Sequence, residues 1–405
     1  MHPLIYDWNA TADAKPPVVM LDDETLRDGL QSPSVRTPTI DEKLRILHLI
    51  DALGIDTANI GLPGAGPHVV RDVERLAREI ADARLRVTPN CAARTLAADI
   101  TPIAEISQRV GMAIECCTFI GSSPLRQYAE GWEIDHLLRL TEDAITFAVR
   151  EGLPVMYVTE DTTRADPETV RRLYSTAVRA GAARVCVCDT VGHATPAGAA
   201  SLVRFVAQVI VDCGATVGID WHGHRDRGLD VVNALAALSA GATRLHGTAI
   251  GIGERVGNTP MDLLLVNLVL MDYITRDLSR LVDYCEAVSA ATGIPIPANY
   301  PVVGRDAFRT ATGVHAAAVI KAFRKNDRAL ADAVYSSVPA SLVGRDQEIE
   351  VGPMSGKSNV VFWLEKRGLP VTDALVERIF AKAKSATAVL DEKAILDIVN
   401  QPARS

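Results

Sequence analysis

The chain has 405 residues, a formal net charge of −8 and 48% hydrophobic residues. It has no basic block and no apolar run of about 18 residues, which argues against a nucleic-acid partner and a membrane-spanning helix. The first 16 residues lack the basic start and apolar core of a signal peptide. These features predict a cytoplasmic protein that is too long for one small domain.

Short β-type runs alternate with longer helical runs along the first two thirds of the chain. Residues 1–16 are predicted to be a lead-in. Eight strands follow, predicted at 18–22, 57–62, 85–89, 113–119, 155–159, 184–188, 217–220 and 244–250. The segments between them, such as 41–53, carry apolar residues at helical spacing. Eight β/α alternations favour a closed (β/α)8 TIM barrel, an α/β fold, over residues 17–278.

A doubly wound open sheet is the alternative arrangement of parallel strands and helices. No GxGxxG motif follows the first predicted strand, so the dinucleotide-binding form of that fold is disfavoured. From about residue 279 helices dominate, predicted at 281–292, 313–323, 373–385 and 391–400, with a polar insert at 335–357. Residues 279–405 are therefore predicted to form an α-rich C-terminal region.

Seven cysteines occur in the chain, most of them inside apolar runs that are typical of strands. An odd number of thiols in such positions predicts reduced, buried cysteines rather than disulfides. The CVC sequence at 186–188 is by itself weak evidence for a metal site.

Polar residues are expected to collect at the carboxyl ends of the barrel strands, where the active sites of parallel barrels lie. The residues predicted there, in chain order, are those of the stretch 22–31, with Asp22, Asp23, Glu24, Arg27, Asp28 and Gln31, and then Asn90, Arg94, Arg126, Glu160, Asp161, Asp189, Thr190, His222, His224, Glu254 and Asn258. Acids, arginines and two histidines on one rim indicate a catalytic site rather than a set of caps and turns.

The spacing of His222 and His224 predicts a metal site. Residues two apart on a strand point to the same face, so both imidazoles can bind one ion. Asp28 is the predicted third ligand because strand 1 closes against strand 8, next to strand 7. Histidines with a carboxylate suit Zn²⁺, Mn²⁺ or Fe²⁺, and Mg²⁺ less naturally. The alternative is a pair of structural histidines.

Several motifs resemble the DRE-TIM metallolyases: TLRDGLQ at 25–31, HGH at 222–224 and GIGERVGN at 251–258. CDTVGHATP at 188–196, TGVH at 312–315 and the stretch from Tyr335 to Gly356 resemble the Claisen-condensing branch of that superfamily. This branch contains the 2-isopropylmalate, homocitrate and citramalate synthases. The resemblance implies condensation of acetyl-CoA with a 2-oxo acid to a 2-alkylmalate-type product and CoA.

The resemblance implies a divalent metal cofactor, which would be zinc, manganese, magnesium or cobalt. Asp28, His222 and His224 match the family's metal ligands. Asn258 matches a loop residue that approaches the metal or its water.

The same resemblance implies roles in the organic chemistry. Arg27 matches an arginine that stabilises the enolate oxygen, and Thr190 matches a threonine that binds the carboxylate of the 2-oxo acid. Glu160 matches an acid near the reacting carbonyl. His315 and Tyr335 match residues of the helical region that complete the active site, often that of the partner in a homodimer. Glu160 and His315 are both candidates for the general base.

Five positions depart from the family pattern: Leu30, Asn59, Cys117, Arg126 and Arg225. Arg126 stands where many members have a histidine. A guanidinium pairs well with a carboxylate or phosphonate, so Arg126 is predicted to bind an extra anionic group on the 2-oxo acid. Arg94 is a second predicted substrate-binding residue.

Two other functions are open. The RDGLQ sequence at 27–31 also resembles a C–C lyase of the 3-hydroxy-3-methylglutaryl-CoA lyase type, but that lyase has a cysteine in its glycine loop and 251–258 has none. A non-catalytic barrel is disfavoured by the intact Asp28, His222 and His224. Because the chain ends at Ser405, no leucine-type regulatory domain and no leucine feedback are expected.

Overall fold

The computed structural model describes residues 3–8, 15–16 and 18–401. Eight parallel strands form a closed barrel in sequential order, and the first strand pairs with both the second and the eighth. The strands are β1 (Met20–Asp23), β2 (Thr57–Asn59), β3 (Thr88–Arg94), β4 (Glu115–Gly121), β5 (Val155–Glu160), β6 (Arg184–Asp189), β7 (Gly218–Gly223) and β8 (Arg244–Gly247). The predicted (β/α)8 barrel is confirmed, and the open-sheet alternative is wrong.

Helices follow the strands around the barrel. They are α1 (Ile40–Ala52), α2 (Pro67–Asp82), α3 (Ala97–Val110), α4 (Pro124–Glu130), α5 (Ile134–Arg150), α6 (Pro167–Ala180), α7 (Pro196–Asp212), α8 (Asp230–Ser239), α9 (Met261–Leu270) and α10 (Leu281–Thr292). Within the described residues no helix combines the length and apolarity that a bilayer crossing requires.

The first helix shows how the sequence specifies such an element. Thr39 caps α1 by accepting a hydrogen bond from the Glu42 backbone, and the Glu42 carboxylate accepts one from the Thr39 backbone at 2.7 Å. This reciprocal capping satisfies two amides that the first turn leaves free. Ile46, Leu47 and Ile50 then form its buried face, as the apolar spacing predicted.

The third strand begins and ends later than predicted, at Thr88–Arg94 instead of 85–89. The sequence placed Asn90 and Arg94 just after the strand, at the carboxyl end of the barrel. Inside the barrel, however, Asn90 Nδ2 donates to Asp22 Oδ1 at 2.6 Å. A polar partner from another strand therefore allows β3 to continue past this residue.

The described residues form two compact units, one within Asp13–Pro295 and the other within Ile296–Ser405 together with residues 3–8. Helix α10, which the sequence assigned to the C-terminal region, packs beside α1 in the barrel unit. Its Tyr284 hydroxyl bonds to the Asp23 carboxylate. The predicted domain division at 278/279 stays a prediction. The contact between Tyr284 and Asp23 of β1 explains why α10 groups with the barrel unit.

The C-terminal unit has its own helices and core. Its elements are β9 (Arg309–Thr310), α11 (Gly313–Phe323), α12 (Arg328–Ala333), β10 (Glu348–Ile349), α13 (Lys357–Lys366), α14 (Asp373–Ser385) and α15 (Glu392–Val399). β9 and β10 pair in parallel. Trp363, Leu364 and Ile379 are among the residues at the centre of its main apolar cluster.

Candidate active site

Two histidines and one aspartate converge at the carboxyl end of the barrel. His222 lies in β7, His224 follows that strand, and Asp28 begins a short 3-10 helix after β1. The Nε2 atoms of the two histidines are 3.2 Å apart. Asp28 Oδ2 lies 3.9 Å from His222 Nε2 and 3.8 Å from His224 Nε2. The three residues predicted as metal ligands are thus brought together.

Hydrogen bonds fix which nitrogen of each imidazole carries the proton. His224 Nδ1 lies 3.2 Å from the carbonyl oxygen of Gly257, and His222 Nδ1 lies 3.2 Å from Glu24 Oε2. Both partners are acceptors, so each neutral imidazole has its lone pair on Nε2. Burial and the neighbouring His222 lower the pKa of His224 to about 4, which keeps this ring uncharged at neutral pH.

The resulting arrangement fits a divalent ion. The two Nε2 atoms face each other beside the Asp28 carboxylate, and either a proton shared between them or a bound cation relieves the repulsion of their lone pairs. Two imidazoles that bind one ion at about 2.1 Å have nitrogens roughly 3.0–3.4 Å apart. The observed separation of 3.2 Å lies in this range.

Asn258 is the fourth residue of the group. Its Nδ2 donates to Asp28 Oδ2 at 2.7 Å, whereas its buried Oδ1 has no partner among the described residues. Glycines make room for this side chain. A Cβ on Gly253 would lie 2.2 Å from Asn258 Nδ2, and one on Gly257 would lie 1.8 Å from the carbonyl oxygen of Gly251. The amide oxygen is therefore available to an ion or its water.

Arg27 is held in place by two carboxylates. Its Nη1 donates to Asp28 Oδ1 and its Nη2 to Glu24 Oε2, both at 2.7 Å. Burial by itself would raise the pKa of Glu24, but Arg27 and His222 outweigh it and hold that pKa well below its ordinary value. Arg27 Nε is buried and has no partner in the described part of the chain. One fixed N–H is thus left to donate to a bound molecule.

A buried network of charges lies next to these residues. Glu24 Oε1 is 3.1 Å from His246 Nδ1, and His246 Nε2 is 2.9 Å from Asp220 Oδ2. Asp220 also accepts from Arg184 and Arg244 at 2.6 and 2.5 Å. Burial opposes ionisation of Asp220, but Arg244 and the other partners hold its pKa below the ordinary value. The network therefore keeps its charges paired inside the barrel.

Glu24 lies in the stretch predicted at the rim, but neither it nor His246 had a predicted role. A signal was present, since the alternation of β1, continued by one residue, places Asp22 and Glu24 on the same face. The missing information was the register that pairs Asp22 with His246 across the closure of the barrel.

Glu160 ends β5, and Thr190 follows β6. Burial raises the pKa of Glu160 above its ordinary value, while Arg126 and Arg27 oppose that rise. Thr190 Oγ1 accepts a hydrogen bond from the Asp161 backbone at 2.8 Å. Glu160 is therefore the rim acid whose surroundings suit proton transfer.

Arg94 and Arg126 differ in how strongly their guanidinium groups are already paired with neighbouring carboxylates. Arg94 donates two hydrogen bonds to Asp99 at 2.7 and 2.8 Å. Arg126, in α4, is 49% exposed and makes one ion pair of 3.3 Å with Glu130, which is also partly exposed. Its guanidinium carbon lies 5.8 Å from the Trp132 ring. Arg126 is thus the more available of the two predicted substrate-binding arginines.

The two candidates from the C-terminal unit lie against each other. The rings of His315 and Tyr335 stack, with centroids 4.1 Å apart and an interplanar angle of 17°. Tyr335 is half exposed. The sequence placed these residues on separate segments, and their stacking makes them one aromatic pair.

Comparisons with known proteins assign the family. A family model described as HMGL-like matches residues 18–291, which is more than half of the chain. The chain belongs to the HMGL-like family. Homocitrate synthase AksA of Methanopyrus kandleri is 34% identical over 379 residues, which cover 91% of this chain and 88% of that protein. A probable 2-isopropylmalate synthase of the same organism is 31% identical and covers 91% and 70%.

Other relatives of this HMGL-like chain agree with that assignment. A homocitrate synthase of Saccharolobus islandicus is 30% identical over 91% of this chain and 76% of that protein. A solved HMG-CoA lyase of Bacillus subtilis superposes with a TM-score of 0.58 at 21% identity and covers 70% of this chain and 97% of the lyase. At such identity the lyase shows the fold alone. The predicted place in the Claisen-condensing branch is confirmed by the curated relatives.

Proposed function

We propose that this protein condenses acetyl-CoA with a 2-oxo acid and releases CoA. The observation that carries the proposal is the group of Asp28, His222 and His224 beside the Nε–H of Arg27, which has no partner among the described residues. Relatives at least 30% identical carry the names homocitrate synthase, probable 2-isopropylmalate synthase and putative (R)-citramalate synthase, which support the same reaction.

Asp28, His222 and His224 would hold a divalent ion, with Asn258 beside it. Such an ion supplies Lewis-acid polarisation of the keto group of the 2-oxo acid. The ligand set suits zinc, manganese or cobalt, and magnesium less naturally. Thr190 would orient the carboxylate of the same substrate through its hydroxyl.

The remaining chemistry falls to side chains of the barrel. Glu160 removes a proton from the methyl group of acetyl-CoA, and a carboxylate with a raised pKa is a stronger base for that step. The developing enolate oxygen accepts the Nε–H of Arg27. The methylene carbon then bonds to the keto carbon, whose oxygen becomes a hydroxyl group by taking a proton. Water displaces CoA from the thioester, so the products are a 2-alkylmalate and free thiol.

Release of free thiol from acetyl-CoA across a panel of 2-oxo acids tests this function. A synthase releases CoA with at least one acceptor and needs a divalent ion to do so. A lyase would instead cleave 3-hydroxy-3-methylglutaryl-CoA to acetyl-CoA and acetoacetate, without any acceptor. If no acceptor in the panel gives thiol release, the proposal is contradicted.

Arg126 is proposed to bind a second anionic group on the acceptor, with Arg94 as a further substrate-binding arginine. Replacing Arg126 with alanine should raise the KM for a dianionic 2-oxo acid by roughly 10–100-fold, because a hydrogen bond to a charged group contributes about 1.5–3 kcal/mol. The KM for a 2-oxo acid with one carboxylate should change little. Steady-state kinetics with one acceptor of each kind measures both values.

Glu130→Ala is the matched control for that variant. It removes the ion-pair partner of Arg126 and keeps the guanidinium, so the KM for the dianionic acceptor should stay equal or fall. A similar rise in KM in both variants would indicate a disturbance of α4 rather than removal of the guanidinium from the substrate. An unchanged KM in Arg126→Ala would refute this role.

We further propose a cytoplasmic homodimer with shared active sites. The support is the resemblance of His315 and Tyr335 to residues that complete the active site in related synthases. Their stacked rings would act as one unit on the substrate. His315 is the alternative to Glu160 as general base.

A further inference from the structure

His222 belongs to two groups of potential ligands. One is the proposed metal site with Asp28 and His224, and the other joins His222 to Glu24 and His246. Glu24 and His246 had no predicted role, and their contacts indicate what the second group does.

The contacts of the second group argue against a second ion. Glu24 Oε1 is 3.1 Å from His246 Nδ1, and Glu24 Oε2 accepts from Arg27 at 2.7 Å. His246 Nε2 lies 2.9 Å from Asp220. In the second group, carboxylate oxygens are thus already paired with ring or guanidinium nitrogens. The first group instead brings two Nε2 atoms and a carboxylate together.

We propose that Glu24 is a positioning residue that sets both a metal ligand and the enolate-stabilising arginine. Glu24 Oε2 faces His222 Nδ1 at 3.2 Å and keeps the proton on that nitrogen. The lone pair of His222 Nε2 is thereby directed toward Asp28 and His224. A carboxylate behind a metal-binding histidine fixes the ring orientation and raises its basicity as a ligand. The inference rests on the proposed metal site.

The same oxygen of Glu24 also accepts from Arg27, so one carboxylate orients two functional groups. Its other oxygen is anchored by His246, and His246 in turn by Asp220, which Arg184 and Arg244 hold. Glu24 has a side-chain exposure of 3%. A buried carboxylate with partners on both oxygens has little freedom to rotate, which is the property that a positioning residue needs.

Glu24→Gln tests this role because it keeps the shape of the side chain but offers an N–H on one side. Zn²⁺ binding to the metal-free full-length chain, measured by titration calorimetry with a competing chelator, should weaken by roughly 10–100-fold. When the variant is saturated with Zn²⁺, its kcat should still lie below that of the wild type, because Arg27 loses one of its two carboxylate partners.

Asp23→Asn is the matched control, since Asp23 is the neighbouring buried carboxylate of β1. Its partners are Tyr284 and Thr25, which do not belong to the proposed metal site, and burial raises its pKa to about 7. Zn²⁺ affinity of this variant should stay within about twofold of the wild type, a difference of roughly 0.4 kcal/mol.

A measurement on the wild-type chain decides the case if Glu24→Gln does not fold. Nitrogen NMR of ¹⁵N-labelled histidine, with His222→Gln for assignment, should show His222 protonated at Nδ1 and not at Nε2 in the metal-free protein. The opposite tautomer, or wild-type Zn²⁺ affinity in folded Glu24→Gln, would overturn the inference. If the wild type binds no divalent ion, the proposed metal site itself fails, which is a distinct result.

Discussion

His224→Ala is expected to abolish divalent-ion binding and to lower kcat/KM by at least about 10³-fold. The Lewis-acid contribution of a catalytic ion amounts to several kcal/mol, and each 1.36 kcal/mol corresponds to a factor of ten. His224 is 4% exposed and supplies one of three ligand atoms, so its loss leaves too few to retain the ion. Metal content after dialysis, together with thiol release, measures both effects.

The exposed histidine His68 of α2 provides the control. His68→Ala removes an imidazole of the same kind from the surface of the barrel unit and should retain metal and activity. Metal retention together with normal thiol release in folded His224→Ala would contradict the ligand assignment. Loss of the ion from both variants would point to non-specific binding by histidines.

Glu160→Gln is expected to lower kcat by roughly 10²–10⁴-fold, the usual contribution of a general base. The wild-type rate should also fall on the acid side of its pH profile at a pH above the ordinary glutamate value of 4.5. The base acts in its ionised form, so activity is lost as the pH falls through a raised pKa. The profile of kcat/KM between pH 4 and 9 should show this acid limb in the wild type and lose it in the variant.

His315→Gln separates the two candidate bases. If His315 only contacts the substrate, its variant keeps the acid limb set by Glu160 at a lower rate. An acid limb that survives in Glu160→Gln and disappears in His315→Gln would assign the base to the histidine instead. In both variants, metal content should equal that of the wild type, because neither residue belongs to the proposed ligand group.

Much of the fold follows from local patterns in the sequence. The predicted strand at 184–188 overlaps β6, because a run of buried residues between turn signals is a local property. The helix predicted at 313–323 coincides with α11. The end of β3 was placed too early, since the bond from Asn90 to Asp22 joins residues 68 positions apart.

The candidate site divides in the same way. The spacing of His222 and His224 by itself predicted a shared face, because side chains alternate along any strand. Asp28 was placed with them through the rule that a parallel barrel gathers its chemistry at one end. The stacking of His315 on Tyr335 has no local signal, since the two rings come from separate segments of the C-terminal unit.

The sequence by itself determined the barrel, the His-x-His pair and the glycine loop, because periodicity and short motifs act within a few residues. Only the tertiary structure decided which charged side chains are paired with neighbouring residues and which can still bind a ligand. It joined Glu24, which directly follows β1, to His222 of β7 and His246 of β8, and it left Arg27 Nε without a partner among the described residues. The physical reason is that buried charges must be paired, and the register of barrel closure selects partners some 200 residues apart.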